Sequence, residues 1–559
     1  MPRRRIVLAF VFVAWAASAR AEVSWRLADP TLQALAARLA PTLEANRKEL
    51  HGRTGPVRGF GAGAVYPQIW LRDSATLIPL SRFLYSREYL DSWLVEHLAH
   101  QQEDGALRDW IAAGEPSAFR NDAPRVEAVH RAGPVVISAD RNTTEADQET
   151  SAVEAAYQVF RITGDRAWLR SAVAGRPLVD RLDAALSFLL RRRFSRRFGL
   201  VTNAFTADWG DVSPVYADQR AIYLDDKTPV AVGLYTNVLF DRAARDLEAL
   251  LAAAGRPTRA RFWAAQARSV RAAIARHFWQ AERGFFRVHL VESLPAGWAP
   301  PADADVFALG GNALAALYGV AEAPQAARIF QAVEERRRRF GVSTVAGVLL
   351  PPYPSGFFRH PILREPYTYQ NGGQWDWFAG RLILAEFERG HAAAARRQLG
   401  EIAHRVARGG GLREWATRDG AGRGSAAYAG SAGALGAALL AGLFGVDLHE
   451  GRLDLTVRLG DETSELRLRE PATGTDVTCA SAYDPVSRTL RFSYSSGARR
   501  PGTLRVRLPP GTRLAAAVVD GTARVVHTET VGEDAYAALT TAPGAHELKL
   551  KLAPAGATR

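Results

Sequence analysis

The feature that most constrains this chain is a helical period that persists from Leu32 to Leu443, with apolar residues recurring at spacings of three and four. Phe240, Ala244, Leu247 and Leu251 line one face of such a segment, and Asp241, Arg242, Arg245 and Glu248 the other. About a dozen segments follow the rule: residues 32–49, 74–83, 88–101, 147–163, 166–192, 230–254, 258–277, 305–318, 324–340, 373–389, 391–408 and 425–443. Tight connections such as Thr163-Gly164-Asp165 and Arg389-Gly390-His391 alternate with long ones rich in Trp, Asp, Gly and Pro. Short hairpins alternating with long loops describe helix pairs stacked around an axis. Six such pairs make an all-α (α/α)6 barrel. The even-numbered segments are the less charged, and a helix apolar on most faces is buried, so they form the inner ring. The long loops then deliver side chains to the N-termini of those helices, whose free N–H groups favour anions and polar ligands.

Beyond Gly445 the period shortens. Leu504-Arg505-Val506-Arg507-Leu508 alternates like a half-buried strand, and 453–459, 466–468, 490–494, 515–519, 524–527 and 547–552 read likewise. Asp520-Gly521 is a hairpin turn signal. This predicts a small C-terminal β-sandwich over 444–559, after a barrel over 22–443.

The first 21 residues stand apart. Arg3-Arg4-Arg5 precede an apolar run, Ile6 to Ala17, too short to span a bilayer, and Ala19-Arg20-Ala21 fits the small-x-small cleavage rule. They predict a signal peptide cleaved after Ala21 and a protein exported to the periplasm or beyond. No later stretch is apolar enough for stable membrane insertion. Cys479 is the single cysteine, so no internal disulfide forms. The net charge of +13 is spread along the chain, and its runs, Arg191–Arg193 and Arg336–Arg339, read as solvated helix faces, which argues against a nucleic-acid partner. Oligomeric state is not encoded in these patterns. The histidines are isolated and no phosphate-loop, dinucleotide or serine-elbow motif occurs, so no metal and no cofactor are expected. The acid pairs at Asp225-Asp226 and at Asp303 and Asp305 lack calcium-ligand spacing.

The chemistry-bearing residues fall in the long loops. Thr206-Ala207-Asp208-Trp209-Gly210-Asp211 places two carboxylates around one indole. An indole covers the apolar face of a pyranose, and carboxylates bind its hydroxyls or move protons, so the expected partner is an oligosaccharide. Trp70, Arg72 and Asp73 cluster at the start of the second segment, where an Arg-held Asp can accept two sugar hydroxyls. Gln370, Asn371 and Trp375 lie in the densest aromatic-amide stretch, 367–377, in which Trp377 reads as core. Glu414 stands beside Trp415 after a glycine run. Glu145, Asp147 and Gln148 open the fourth segment; Asp147, Asp303 and Asp305 read as helix caps.

In this order the pieces WLRDS, TExDQ, DWGDxSP, YQNGGxW and a late Glu resemble the six-hairpin glycosidases, in particular glycogen-debranching amylo-α-1,6-glucosidases and mannosyl-oligosaccharide glucosidases, over roughly Gly61 to Leu443. The resemblance implies an inverting, exo-acting glycoside hydrolase on α-linked glucosides or related oligosaccharides, with Asp211 as general acid, Glu414 as general base and Asp73 gripping the terminal sugar. The base segment lacks the Tyr-Asp-Pro-x-Thr-Gly that follows it in such enzymes, and Asp208 rivals Asp211 for the acid role. Two other readings stay open: a non-catalytic carbohydrate-binding protein on the same barrel, and a disaccharide phosphorylase-like enzyme that uses phosphate. The catalytic reading expects Trp70, Arg72, Asp73, Trp209, Gln370 and Asn371 in one pocket. It also expects Asp211 to be pushed above its usual pKa by Trp209 and Asp208, and Glu414 to be kept ionised by Arg413 or Arg418.

Overall fold

The structure is a computed structural model and describes residues 23–555. The expected signal peptide lies outside the described residues.

Among the described residues, twelve helices of nine residues or more follow one another: α1 (Pro30–Glu44), α2 (Leu71–Ser81), α3 (Glu88–Ala99), α4 (Gln148–Thr163), α5 (Leu178–Arg192), α6 (Leu234–Ala253), α7 (Pro257–Phe278), α8 (Leu309–Leu317), α9 (Ala323–Arg339), α10 (Asp376–Glu388), α11 (Ala392–Arg408) and α12 (Ala429–Ala437). Local chemistry marks several ends. Asp29 accepts the N–H groups of Thr31 and Leu32 ahead of α1, Gly164 ends α4 in the left-handed region, and Glu322 and Gln325 form a capping box on α9.

The six even-numbered helices close a ring: α2 packs on α4, α4 on α6, α6 on α8, α8 on α10, α10 on α12, and α12 back on α2. The odd-numbered helices lie outside, α3 against α2 and α4, α7 against α6, α11 against α10. The ring is tight because its helices carry little side-chain bulk. A methyl group added at Gly433 of α12 would lie 2.8 Å from Leu77 of α2, and one at Gly380 of α10 would lie 2.6 Å from the Ala434 backbone. Glycine costs about 1 kcal/mol in an isolated helix; here it permits close contact that recovers packing.

All-α does not describe the architecture. Short strands occupy the connections: Arg47–Gly52 pairs with Gly55–Phe60, and Ile69–Trp70, Trp110–Ala113, Val135–Asp140 and Glu127–Ala132 form a four-stranded sheet. Several helices are accordingly shorter than their periodicity suggests. The first stops at Glu44, where the Asn46 side chain donates 2.7 Å to the Thr42 carbonyl. The segment 166–192 breaks at a turn through Gly175, φ +83°, and resumes at Leu178. Val230–Gly233 becomes a strand between Asn203–Ala204 and His289–Ser293, since Val230 and Val232 suit a pleated surface.

The C-terminal part forms two sheets. One runs Ser24–Arg26, Ser464–Glu470, Thr475–Asp484, Thr489–Ser496, Gly544–Pro554, Thr512–Val519, Thr522–Arg524; the other runs Val446–His449, Arg452–Val457, Gly502–Arg507, Asp534–Thr541, His527–Val531. The N-terminal strand Ser24–Arg26 thus completes a sheet built from residues beyond 444, pairing Trp25 with Leu466. No loose linker separates the two parts. The helical chain runs to Leu443, and Val446 already sits in a paired strand. Arg82 at the end of α2 donates 2.7 Å to Glu470, and Arg161 pairs with both oxygens of Asp447 at 3.0 Å, so the sheets are fastened to the C-terminal ends of the ring helices. A cavity of about 550 Å³ lies at that junction, lined in part by Arg82, Tyr157, Arg242, Glu388 and Arg458.

Candidate active site

The opposite end of the ring gathers a side chain or backbone group from the start of every inner helix. α2 supplies Arg72 and Asp73, α4 is preceded by Asp147, α6 supplies Tyr235 in its first turn, α8 presents the N–H of Gly311, and Trp375 and Tyr428 immediately precede α10 and α12. This convergence follows from the ring topology, because each long connection enters an inner helix at the same end.

Arg72 is the hub. Its Nη2 donates 2.8 Å to Asp211 Oδ1, and its Nη1 donates 3.1 Å to Glu145 Oε1 and 3.2 Å to Asp147 Oδ2. The guanidinium lies over the Trp377 ring, 5.5 Å from its centroid, so Trp377 is more than the core packing expected of it. Asp147 does not cap α4 as expected: its Oδ2 is taken by Arg72 and by the Tyr235 hydroxyl at 3.3 Å. Asp305 is likewise an ion-pair partner, of Arg336 at 2.7 Å, not a cap, and Asp303 lies 3.5 Å from His289.

Asp211 is held from every side. Gln370 accepts its backbone N–H at 3.2 Å and donates to its Oδ2 at 3.0 Å, while Asn142 and Thr144 both donate to its carbonyl at 2.9 Å. Burial pushes the Asp211 carboxyl upward, but the charge of Arg72 and hydrogen bonds from Glu145, Arg72 and Gln370 outweigh it, so the group sits below its usual range. This reverses the expectation drawn from its neighbours Trp209 and Asp208. Glu145 behaves oppositely: burial and the anions around it hold it well above the usual carboxylate range despite Arg72. Asp109, buried nearby, is raised in the same way. Asp73 is pushed up to about 6 by burial, partly offset by Arg72, and accepts from the Tyr428 hydroxyl at 3.3 Å.

Glu414 sits on the strand Arg413–Ala416, where it accepts the Tyr66 hydroxyl at 2.9 Å and the Ser425 N–H at 2.8 Å. Neither Arg413 nor Arg418 pairs with it, contrary to expectation; Arg418 lies over the Tyr367 ring. Burial raises Glu414, against the hydrogen bonds of Ser425 and Tyr66, and both Asp211 and Asp73 are near enough to raise it further. Burial, together with the charges of Glu414 and Asp211, holds the Tyr66 and Tyr369 hydroxyls above their usual range. Gly424 makes room for the carboxylate: its φ is +67°, and a methyl group there would lie 2.5 Å from Glu414 Oε2.

Several expected sugar contacts are used otherwise. Asn371 is fully buried; its Oδ1 accepts the Tyr353 N–H at 2.8 Å and its Nδ2 donates to the carbonyls of Tyr353 at 3.2 Å and Leu363 at 3.1 Å, which leaves nothing for a ligand. Asp208 is separated from the Arg72 cluster: it accepts the Gly311 N–H at the start of α8, 3.1 Å away, and burial pushes it up to about 7. Its backbone is left-handed, φ +56°. Trp209 and Trp375 are buried against each other, ring centroids 5.3 Å apart, with Phe378 4.2 Å from Trp209. Little of either ring is open to a sugar in this structure. Gln370 is spent on Asp211. The aromatic surface still partly open belongs to Trp70, Tyr66, Tyr369 and Trp415; Trp70 packs 6.0 Å from Trp110. Of these Tyr66 was invisible to motif reading, as was Asp109 among the acids, since neither stands in a dense aromatic or acidic stretch.

Among the described residues, one group of side chains could hold a metal ion, Asp447, His449 and Asp454, with ligand atoms within 4.8 Å of one another. It lies in the β part, and Arg161 already neutralises Asp447.

A sequence profile described as "Mannosylglycerate hydrolase MGH1-like glycoside hydrolase domain" matches residues 66–431, which contain every acid of this site. The chain belongs to this family of glycoside hydrolases. The resemblance to six-hairpin glycosidases is thereby borne out, and the non-enzymatic reading falls away. No curated protein matches the sequence. Among solved structures, an α-L-rhamnosidase from Dictyoglumus thermophilum superposes with a TM-score of 0.60 at 12% identity, covering 95% of this chain and 50% of that one. A Streptomyces avermitilis α-L-rhamnosidase complexed with L-rhamnose gives 0.56 at 14% identity, with 95% and 42% coverage. The GH63 mannosylglycerate hydrolase from Thermus thermophilus, in complex with Tris and D-glycerate, gives 0.50 at 18% identity, with 72% and 99% coverage. The chain thus spans half or less of the rhamnosidases and nearly all of the hydrolase.

Proposed function

We propose that this glycoside hydrolase is an exo-acting, inverting enzyme on α-linked glucosides or related oligosaccharides, carried on an (α/α)6 barrel that ends near Leu443 and backed by a C-terminal β-sandwich that the strand Ser24–Arg26 completes. The observation that carries it is the pair Asp211 and Glu414. The two carboxyls are near enough for the charge of Asp211 to act on Glu414, yet each has its own set of partners, Arg72 and Gln370 for one and Tyr66 and Ser425 for the other. Asp211 protonates the glycosidic oxygen, and Glu414 draws a proton from water on the opposite face of the sugar. Inversion requires room for that water, so the carboxyls should stand about 6.5–9.5 Å apart. Asp73, which accepts the Tyr428 hydroxyl, binds hydroxyls of the terminal sugar, the contact that exo action requires. The segment from Arg3 to Ala21 supports export to the periplasm or outside the cell.

The test is a screen of aryl α- and β-glucosides, α-mannosides including mannosylglycerate, α-L-rhamnosides and neutral oligosaccharides, with and without phosphate. Asp211→Asn and Glu414→Gln should each cost ~10²–10⁴-fold in kcat/KM on the best substrate, and NMR of early product should show the inverted anomer. Retention of configuration, or phosphate-dependent turnover that survives Glu414→Gln, overturns the assignment.

A further inference from the structure

Glu145, Asp147 and Asp211 share the guanidinium of Arg72, and the buried acids Asp73 and Asp109 lie near enough to feel its charge, with Arg381 acting on Asp73 as well. Buried anions in such excess cannot all ionise, so protons must remain in the cluster. Geometry selects where one of them sits. Arg72 donates from Nη2 to Asp211 Oδ1 at 2.8 Å and from Nη1 to Glu145 Oε1 at 3.1 Å, so one guanidinium holds both carboxyls. Asn142 and Gln148 each donate to Glu145 at 3.3 Å. The Glu145 side chain is 4% exposed and that of Asp211 25%. Asp211 is therefore the member open to substrate, and Glu145 the member sealed from water.

We propose that Glu145 is the positioning residue that stores the proton Asp211 delivers, the two carboxyls sharing one proton beside Arg72. The inference rests on the reading of Asp211 as the acid. The charged and titratable groups around Glu145 are Arg72 from α2, Asp109 before the Trp110 strand, Asp147 at the head of α4, Asp211, Tyr235 from α6, and Arg193, which donates to the Glu145 backbone carbonyl at 2.9 Å. In the resting site burial keeps the proton on Glu145, while Arg72 keeps Asp211 ionised. In the reaction the proton passes from Glu145 to Asp211 and on to the glycosidic oxygen as the bond from that oxygen to the anomeric carbon breaks. Water bonds to that carbon from the other face and gives its proton to Glu414. Glu145 and Asp211 are left as carboxylates against Arg72 until the pair recovers one proton and Glu414 releases one, through solvent. The arrangement explains how an acid can sit in an ion pair and still protonate a leaving group.

The test uses the full-length enzyme as wild type, Glu145→Gln, Glu145→Asp and Asp211→Asn. Infrared difference spectra of ligand-free protein at pH 7, wild type minus Glu145→Gln, should show loss of one protonated-carboxyl C=O band and no loss of carboxylate intensity. Loss of a carboxylate band overturns the proposal. In kinetics, Glu145→Gln should lower kcat/KM about 100-fold on an unactivated alkyl glycoside. On the matching glycosyl fluoride, which leaves with little acid assistance, the loss should be under about threefold, and Glu145→Asp should restore most of the alkyl glycoside activity. An equal loss on both substrates marks a merely structural role for Glu145 and also overturns it. If Asp211→Asn spares the alkyl glycoside, the acid assignment itself fails, a result the infrared measurement reads independently.

Discussion

Replacing Arg72 by Met removes the cation that Glu145, Asp147 and Asp211 share, and the guanidinium over Trp377, while keeping an unbranched apolar side chain. Breaking a buried ion pair from one side costs about 3–5 kcal/mol, because the partner is left charged and unsolvated. Here Asp211 loses its cation inside a cluster that also holds Glu145 and Asp147, so the upper part of that range applies near neutral pH. The cost is also pH-dependent. In the wild type the folded pKa of Asp211 lies below its ordinary value, so its contribution to stability is present above the unfolded pKa and is lost as pH falls through the folded one. Without Arg72 the burial of Asp211 is unopposed and its folded pKa rises above the unfolded value. The group then opposes folding at high pH, and the penalty is relieved as acid supplies the proton. Each pKa unit is about 1.4 kcal/mol, so the wild-type–variant gap should be widest at pH 8 and narrower by at least about 1–2 kcal/mol at pH 5. Urea midpoints followed by tryptophan fluorescence at pH 5, 6.5 and 8 measure it. Arg72→Lys, which keeps the charge but loses the fork, should fall between the two. A gap that does not change with pH, or an Arg72→Met protein as stable as wild type, would refute the idea that Arg72 neutralises this cluster.

Three further outcomes follow from the geometry. Tyr66→Phe removes a hydrogen bond that favours ionised Glu414; a bond to a charged group contributes about 1.5–3 kcal/mol, so the acid limb of the kcat/KM profile should move upward by about 1–2 pH units, and an unmoved limb would show that Glu414 is not the base. Asn371→Ala should lower stability by about 2–4 kcal/mol through unpaired buried backbone groups at Tyr353 and Leu363; a large activity loss with unchanged thermal unfolding would instead make it a substrate contact. Gly424→Ala should cost most of the activity on α-glycosides, since the added methyl group meets the Glu414 carboxylate and the backbone is left-handed there; near-wild-type turnover would show that Glu414 can shift freely.

The helices were legible because their signal is local. Apolar spacing over 234–253 or 392–408 needs no knowledge of the rest of the chain. The inner and outer rings were legible for the same reason, since a segment like Ala429–Ala437 has no polar face to show to water. The short strands before α2, α6 and α8 were not, because two to four residues carry no period, and they exist only where a neighbouring chain segment offers backbone partners. Within the site, the motifs located the right loops but could not apportion their side chains. Gln370 and Asn371 are adjacent, yet one is spent on Asp211 and the other on a separate loop. Which way each points depends on backbone such as the left-handed Tyr369, φ +43°, and, for Gln370, on a partner more than a hundred residues away.

Thus the amino-acid order by itself determined which segments are helical, which of them are buried, where the period changes, and which loops carry acids and indoles, because these depend on residue type and spacing along one chain. The protonation pattern was decided by tertiary structure alone. Asp211 was expected to be raised by its sequence neighbours Trp209 and Asp208, but folding moves Asp208 to the head of α8 and brings Arg72, Glu145 and Gln370 against Asp211 instead. A charge responds to what lies within a few ångströms in space, and in a closed ring of helices those neighbours come from every quarter of the chain.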